Sequence, residues 1–119
     1  MSDSSFTKKE HLRKADSIRH VFDKGLLYKA KSINIYLLKT DRETKFNQVA
    51  FIISKNLYNK KLVLRNRIRR ILREAYRKTK HILPLGFDMV ILATRVKKDT
   101  KSPDIEQELR DVFKKCIEK

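Results

Sequence analysis

Between Lys61 and Lys80 the chain has essentially one way to satisfy its side chains. Leu64, Ile68, Ile71, Leu72, Ala75 and Tyr76 recur every three or four residues, and nearly everything between them is Arg or Lys. A repeat near the helical period gathers these residues into one stripe, whereas a strand would scatter them over both faces. The spacing therefore predicts a long helix with one side that needs covering and another that must stay wet or meet an anion. A lone amphipathic helix cannot bury its own stripe, so the rest of the chain must supply a second layer.

The rest of the chain can supply one. Residues 32–39 alternate, with Ile33, Ile35 and Leu37 on one side and Asn34, Tyr36 and Leu38 on the other. Residues 48–54 and Phe87–Ala93 read as further strands, and the near-continuous apolar character of 48–54 predicts a central place in a sheet. A short strand fits around Leu26–Tyr28, and Asp41–Phe46 reads as a charged turn or loop. Residues 15–24 suit a short helix with Ala15, Ile18, Val21 and Phe22 on one side and Gly25 at its C′ position. Pro84–Gly86 breaks the chain, and a last helix starts near Ser102 as N-cap with Pro103 at N1. Ile105, Leu109, Val112, Phe113, Cys116 and Ile117 recur along it. With 119 residues and no marked linker, residues 1–119 read as a single domain. Its class is α+β, a small layered α/β sandwich with a mixed β-sheet. The first 12 residues are polar and read as a mobile or extended basic arm.

Charge narrows the function. Thirty Lys and Arg against 14 Asp and Glu leave +16, a self-repelling surplus that a polyanionic partner would neutralise. Residues 60–80 hold ten Lys or Arg and one acid, Glu74, and so supply +9 of that total. Around the helix, Asn66, Arg70, Arg73 and Arg77 lie opposite the apolar stripe, with Arg65 and Arg69 on one flank and Arg67 and Lys78 on the other. Arginine grips phosphate oxygens with two parallel hydrogen bonds, and Asn66 can donate or accept at a sugar or base edge. A face built for solubility would mix signs instead. The absence of Trp and the strand-rich remainder count against a membrane-surface helix. The uniform basic face suits structured RNA, read by shape and phosphate, better than base readout in a DNA groove.

Other chemistry is sparse. Cys116 is the one cysteine, which excludes an intramolecular disulfide and a cysteine-based zinc cluster. His11, His20 and His81 have no metal-ligand spacing, and the carboxylates do not pair across elements. No catalytic residue and no metal ligand is assigned. No run is apolar enough for a membrane span, and the first residues lack a signal-peptide core, so a cytoplasmic place is expected.

The blocks Ser54-Lys55, Arg65-Asn66-Arg67-Ile68-Arg69-Arg70 and Arg73 make a more specific pattern. Val21-Phe22 with Gly25 precedes them, and Gly86-Phe87-Asp88 follows. In this order the chain resembles the bacterial ribonuclease P protein component over roughly residues 8–117. The resemblance implies a left-handed β-α-β crossover, against the general right-handed rule. It implies a protein subunit without catalytic groups of its own. The ribonuclease P catalytic RNA would carry the hydrolytic centre and the Mg²⁺ that the holoenzyme requires. That ribonucleoprotein is an endonuclease that releases the mature 5′ end of precursor tRNA. The partners implied are the catalytic RNA and precursor tRNA, with no membrane and no obligate protein partner.

The resemblance places Arg65, Asn66, Arg67, Arg69, Arg70, Arg73 and Arg77 on the RNA-binding face. It places Phe22, Tyr36, Ser54 and Lys55 in a cleft for the 5′ leader. The residues alone leave Phe22 and Tyr36 open between base-stacking and ordinary core or rim packing. Lys8, Lys9, Arg13 and Lys14 could extend the electrostatic track. Two departures stand out: Ile18 where many members carry an aromatic, and a longer connection NLYNKKLVL with Tyr58 where glycine is frequent. Two other readings compete. A structural RNA-binding protein, such as a small ribosomal protein, would have the same size and charge. A protein-only nuclease would need acids beside the basic helix, where Glu74 stands alone.

Overall fold

The computed structural model describes residues 10–40, 47–58 and 61–117. The elements run α1 (Ala15–Lys24), β1 (Leu26–Lys29), β2 (Ile33–Lys39), β3 (Gln48–Ile53), α2 (Leu62–Thr79), β4 (Phe87–Ala93) and α3 (Ser102–Ile117). A 3₁₀ turn, Lys80–Ile82, follows α2. The four strands form one mixed sheet in the order β1-β2-β4-β3. β1–β2 and β2–β4 are antiparallel, and β3–β4 is parallel. This is the α+β sandwich expected from the sequence. The Asp41–Phe46 loop and residues 1–9 of the arm lie outside the described residues.

Alternation in the strands sorts the sheet into two faces. Ile33, Ile35, Leu37, Val49, Ile53, Met89, Ile91 and Ala93 meet Ile68, Leu72, Ala75 and Tyr76 of α2 and Ile105, Leu109, Val112 and Phe113 of α3. That is the main core, and each fully buried large aliphatic or aromatic side chain in it contributes about 1.5–3 kcal/mol. The opposite face carries a smaller cluster, in which Val21 of α1 and Leu12 pack on Ala50 and Val90.

Chirality and one hydrogen bond fix the hand of the β3-α2-β4 unit. With the α2 face toward the viewer and both strands running upward, an L-residue facing the viewer points its carbonyl to the right. Ala93 faces α2, and its carbonyl accepts the Ser54 N–H at 2.9 Å. So β3 lies to the right of β4, and the chain climbs β3, crosses in front through α2 and enters β4 on the left. The crossover is left-handed, the exception to the usual preference.

Three local expectations need correction. β3 is an edge strand, not a central one. Its apolar character has another cause: α2 covers one face, the α1 side covers the other, and the N-terminal segment closes its edge. His11 forms a parallel bridge with Val49, and Leu12 N–H donates to the Val49 carbonyl at 2.9 Å. Glu10 pairs with Lys80 at 2.8 Å. Glu10–Leu12 are therefore docked as an extended segment against β3.

Gly25 is not a left-handed C′ glycine; its φ is −74°. It is needed for space. A Cβ there would sit 2.6 Å from the Val21 carbonyl oxygen and 3.1 Å from that of Leu37. Gly25→Ala is expected to cost about 1–3 kcal/mol through overpacking. Urea unfolding measures it, and an unchanged midpoint would show that α1 can move off β2 freely.

The start of α3 is shifted by one residue. Ser102 is already helical, the Asp104 carboxylate accepts the Lys101 N–H at 2.9 Å, and the Ser102 hydroxyl reaches Glu106. The backward bond from Asp104 satisfies a donor at the helix entry, as in a capping box. A side-chain oxygen from Ser102 is therefore not needed for that job.

Candidate RNA interface

Helix α2 presents its arginines in two different ways. Arg65 turns inward: its guanidinium donates to the carbonyls of Leu57 at 2.9 Å, Ser54 at 3.1 Å and Ile53 at 3.4 Å. Those carbonyls end β3 and shape the turn that carries Lys55. Arg67 does the same on the other flank, donating to Lys98 at 2.9 Å and Thr100 at 3.1 Å. Arg77 is held by Glu74 at 2.7 Å, with Lys78 at 3.5 Å from the same carboxylate. The Arg77 hydrogen bond holds the Glu74 carboxyl below its ordinary pKa.

What remains faces outward. Asn66, Arg69, Arg70 and Arg73 line one shallow open depression. Arg69 donates weakly to the Asn66 Oδ1 at 3.4 Å, which braces one guanidinium without neutralising it. This is an anion surface of planar forks with an amide at its edge, suited to phosphate and sugar oxygens.

The basic surface continues around the β3 edge. His11 lies close to both Arg13 and Arg73. Burial and these two cations push its pKa down, against a smaller opposing pull from Glu10. Arg13 and Lys14 are exposed and lead into α1 on the other sheet face.

On that face Phe22 and Tyr36 meet edge-to-face, with ring centroids 4.7 Å apart at 66°. Both are half-buried. Ile18, where an aromatic is frequent, contributes apolar packing to the same cluster. Ser54 and Lys55 follow directly from β3, Ser54 fixed by its backbone bonds and Lys55 exposed. Tyr58 closes the turn at φ +53°, a left-handed conformation that glycine adopts more readily. It also packs on the main core, which accounts for an aromatic at that position.

A sequence model of the ribonuclease P family matches residues 6–117. The chain belongs to the bacterial ribonuclease P protein component family. It is 34% identical over 116 residues to the ribonuclease P protein component of Petrotoga mobilis, covering 96% of this chain and 94% of that one. The Clostridioides difficile ribonuclease P protein component is 31% identical over 112 residues, covering 92% and 94%. Among solved structures, the Staphylococcus aureus RNase P protein superposes with TM-score 0.73 at 25% identity, covering 90% and 94%. The RNase P protein from Thermotoga maritima gives TM-score 0.73 at 19% identity, covering 89% and 96%, and shares the fold.

The described residues thus present the α2 depression on one side of the sheet and the Phe22–Tyr36 pair on the other. Of the arginines read from the sequence, Arg69, Arg70 and Arg73 come together with Asn66. Arg65 and Arg67 are anchored to main-chain carbonyls, which no periodicity could reveal. Strand register adds Leu27 and Lys29 to the Tyr36 side, since they pair with Tyr36 and Asn34. Among the described residues, no group of three or more His, Cys, Asp or Glu is placed to hold a metal ion. No described helix is long and apolar enough to cross a membrane.

The histidine beside Arg73 gives a pH expectation. Its folded pKa lies below the ordinary imidazole value of about 6.5, so folding favours the neutral ring. That contribution is full above about pH 6.5 and is lost as pH falls from there through the folded pKa. NMR titration of the His11 ring should give a midpoint below about 6.5. An ordinary or raised midpoint would mean that the segment is not seated between Arg13 and Arg73.

Proposed function

We propose that the chain is the protein subunit of a ribonuclease P ribonucleoprotein. It binds the catalytic RNA through Asn66, Arg69, Arg70 and Arg73 and the 5′ leader of precursor tRNA along the Phe22–Tyr36–Lys55 cleft. The observation that carries this reading is an outward arginine depression on α2 together with a partly exposed Phe22–Tyr36 pair on the opposite face of the sheet. Family membership supports the general role in RNA binding and tRNA processing.

The chemistry divides accordingly. Endonucleolytic hydrolysis and its Mg²⁺ belong to the RNA-containing holoenzyme, and no step runs through a metal held by this chain. The chain neutralises phosphate where two RNAs approach each other. That lowers the demand for divalent counter-ions and raises affinity for substrates that carry a leader. An unpaired leader base can stack on the partly exposed Tyr36, worth about 1–3 kcal/mol per base. Lys55 then meets the backbone phosphate. Such a subunit works in the cytoplasm, where precursor tRNA is matured.

Purified protein added to catalytic RNA and 5′-extended precursor tRNA at low Mg²⁺ is expected to restore cleavage at the mature 5′ end. No stimulation would overturn the assignment. Cleavage by the protein alone would move the chemistry onto the polypeptide.

A further inference from the structure

The β3 edge carries a titratable ring to which neither surface gives a role. The segment Glu10–Leu12 is held along that edge in register. His11 bridges Val49 in parallel, and the Leu12 N–H donates to the Val49 carbonyl at 2.9 Å. Bridged residues send their side chains to the same face, and successive residues alternate. Val49 belongs to the core under α2, and Leu12 belongs to the cluster under α1. The His11 ring therefore leaves the segment on the α2 side, at the rim of the sheet.

Charged groups face it there. Arg73 approaches from α2, and Arg13 and Glu10 from its own segment. Strand β3 brings no charge, and Lys80 of the 3₁₀ turn pairs with Glu10 at 2.8 Å. Arg73 also lines the depression with Asn66, Arg69 and Arg70, so His11 borders that depression at its Arg73 end.

Burial and the two arginines favour the neutral ring in the free protein, against a smaller pull from Glu10. A lysine or arginine at this position would instead add a third like charge to the cluster. An RNA phosphate reverses the balance. It offsets the field of Arg73 and offers an acceptor, and both effects favour the imidazolium.

We propose that His11 is a further ligand for RNA phosphate at the α2 interface and takes up a proton from solvent as the RNA binds. The protonated ring donates from one nitrogen to a phosphate oxygen, while the pairing with Val49 keeps it at the rim. RNA affinity then rises as pH falls below neutrality. The inference rests on the reading of the α2 depression as an RNA surface, and it adds one residue and one proton to that surface.

The test titrates the full chain with ribonuclease P catalytic RNA at fixed salt. Filter binding gives the affinity, and calorimetry in two buffers of different ionisation enthalpy counts the protons. Wild-type protein is expected to bind about fivefold more tightly at about pH 6 than at about pH 8, with net proton uptake. His11→Gln should bind with nearly constant affinity over that range and take up few protons. His11→Arg carries its charge throughout, so it should bind tightly and lose the pH dependence as well. Equal wild-type affinity across the range overturns the proposal. So does a pH dependence retained in His11→Gln, which would belong to His20, His81 or the RNA. Should His11→Gln fail to fold, the wild-type ring decides. Its NMR titration midpoint should move up when a short RNA hairpin is bound, and an unmoved or lowered midpoint overturns the proposal. Failure of the wild-type protein to bind the catalytic RNA at any pH overturns the underlying reading instead.

Discussion

A protein with both Arg70 and Arg73 replaced by Ala is expected to bind structured RNA about a hundredfold more weakly at moderate salt. Each residue is exposed and faces the depression with Asn66 and Arg69. A charge-assisted hydrogen bond contributes about 1.5–3 kcal/mol, so losing two costs about 3 kcal/mol or more. The plot of log K against log[salt] should become shallower by about one unit per lost phosphate contact. Folding should not suffer, because neither guanidinium has a hydrogen-bond partner among the described residues and removing like charges relieves repulsion. Filter binding across a salt series, with thermal unfolding alongside, reads both effects. An unchanged salt slope would show that this depression does not contact phosphate.

Arg65→Ala is expected to behave in the opposite way. Its guanidinium joins the carbonyls of Ile53, Ser54 and Leu57 to the first turn of α2. Removing it frees three acceptors in the turn that carries Lys55. The expected cost is about 2–3 kcal/mol of stability. Leader-dependent affinity should fall as well, because Lys55 is no longer held in place. Arg65→Lys keeps the charge but lacks the planar fork, so it should recover nonspecific RNA attraction more than stability. Urea unfolding of both variants beside Arg70→Ala separates the two kinds of arginine. If Arg65→Ala unfolds at the wild-type midpoint and loses only RNA affinity, the residue is a phosphate ligand and not a clamp.

This contrast shows how far the sequence could be read. α2, β2 and β4 were legible because each is long and strongly periodic, so local side-chain spacing sufficed. The edge position of β3 was not legible. Its two-sided burial arises from α2, from α1 and from Leu12 closing the edge, and a strand covered on both faces reads the same wherever it lies. Gly25 was legible as a helix end, but not for its reason, the approach of the Val21 and Leu37 carbonyls. The one-residue shift at Ser102 reflects a choice between two nearby oxygen acceptors that sequence cannot rank. The left-handed crossover came from family resemblance; geometrically it depends on which side of β4 receives the Ser54 N–H.

The sequence by itself determined an amphipathic arginine helix, the strands that cover it, the single-domain class and the anionic character of the partner. These follow from neighbours within a few positions and from total charge. The tertiary structure alone decided which arginines are available. Arg65 and Arg67 carry the same charge as Arg70 and Arg73, but the first two are bonded to carbonyls at separations of 8 to 33 residues. It also decided that His11 comes beside Arg73, through an N-terminal segment paired with β3 at Val49. Periodicity gives the direction in which a side chain leaves the backbone. What it meets there depends on parts of the chain that no local pattern contains.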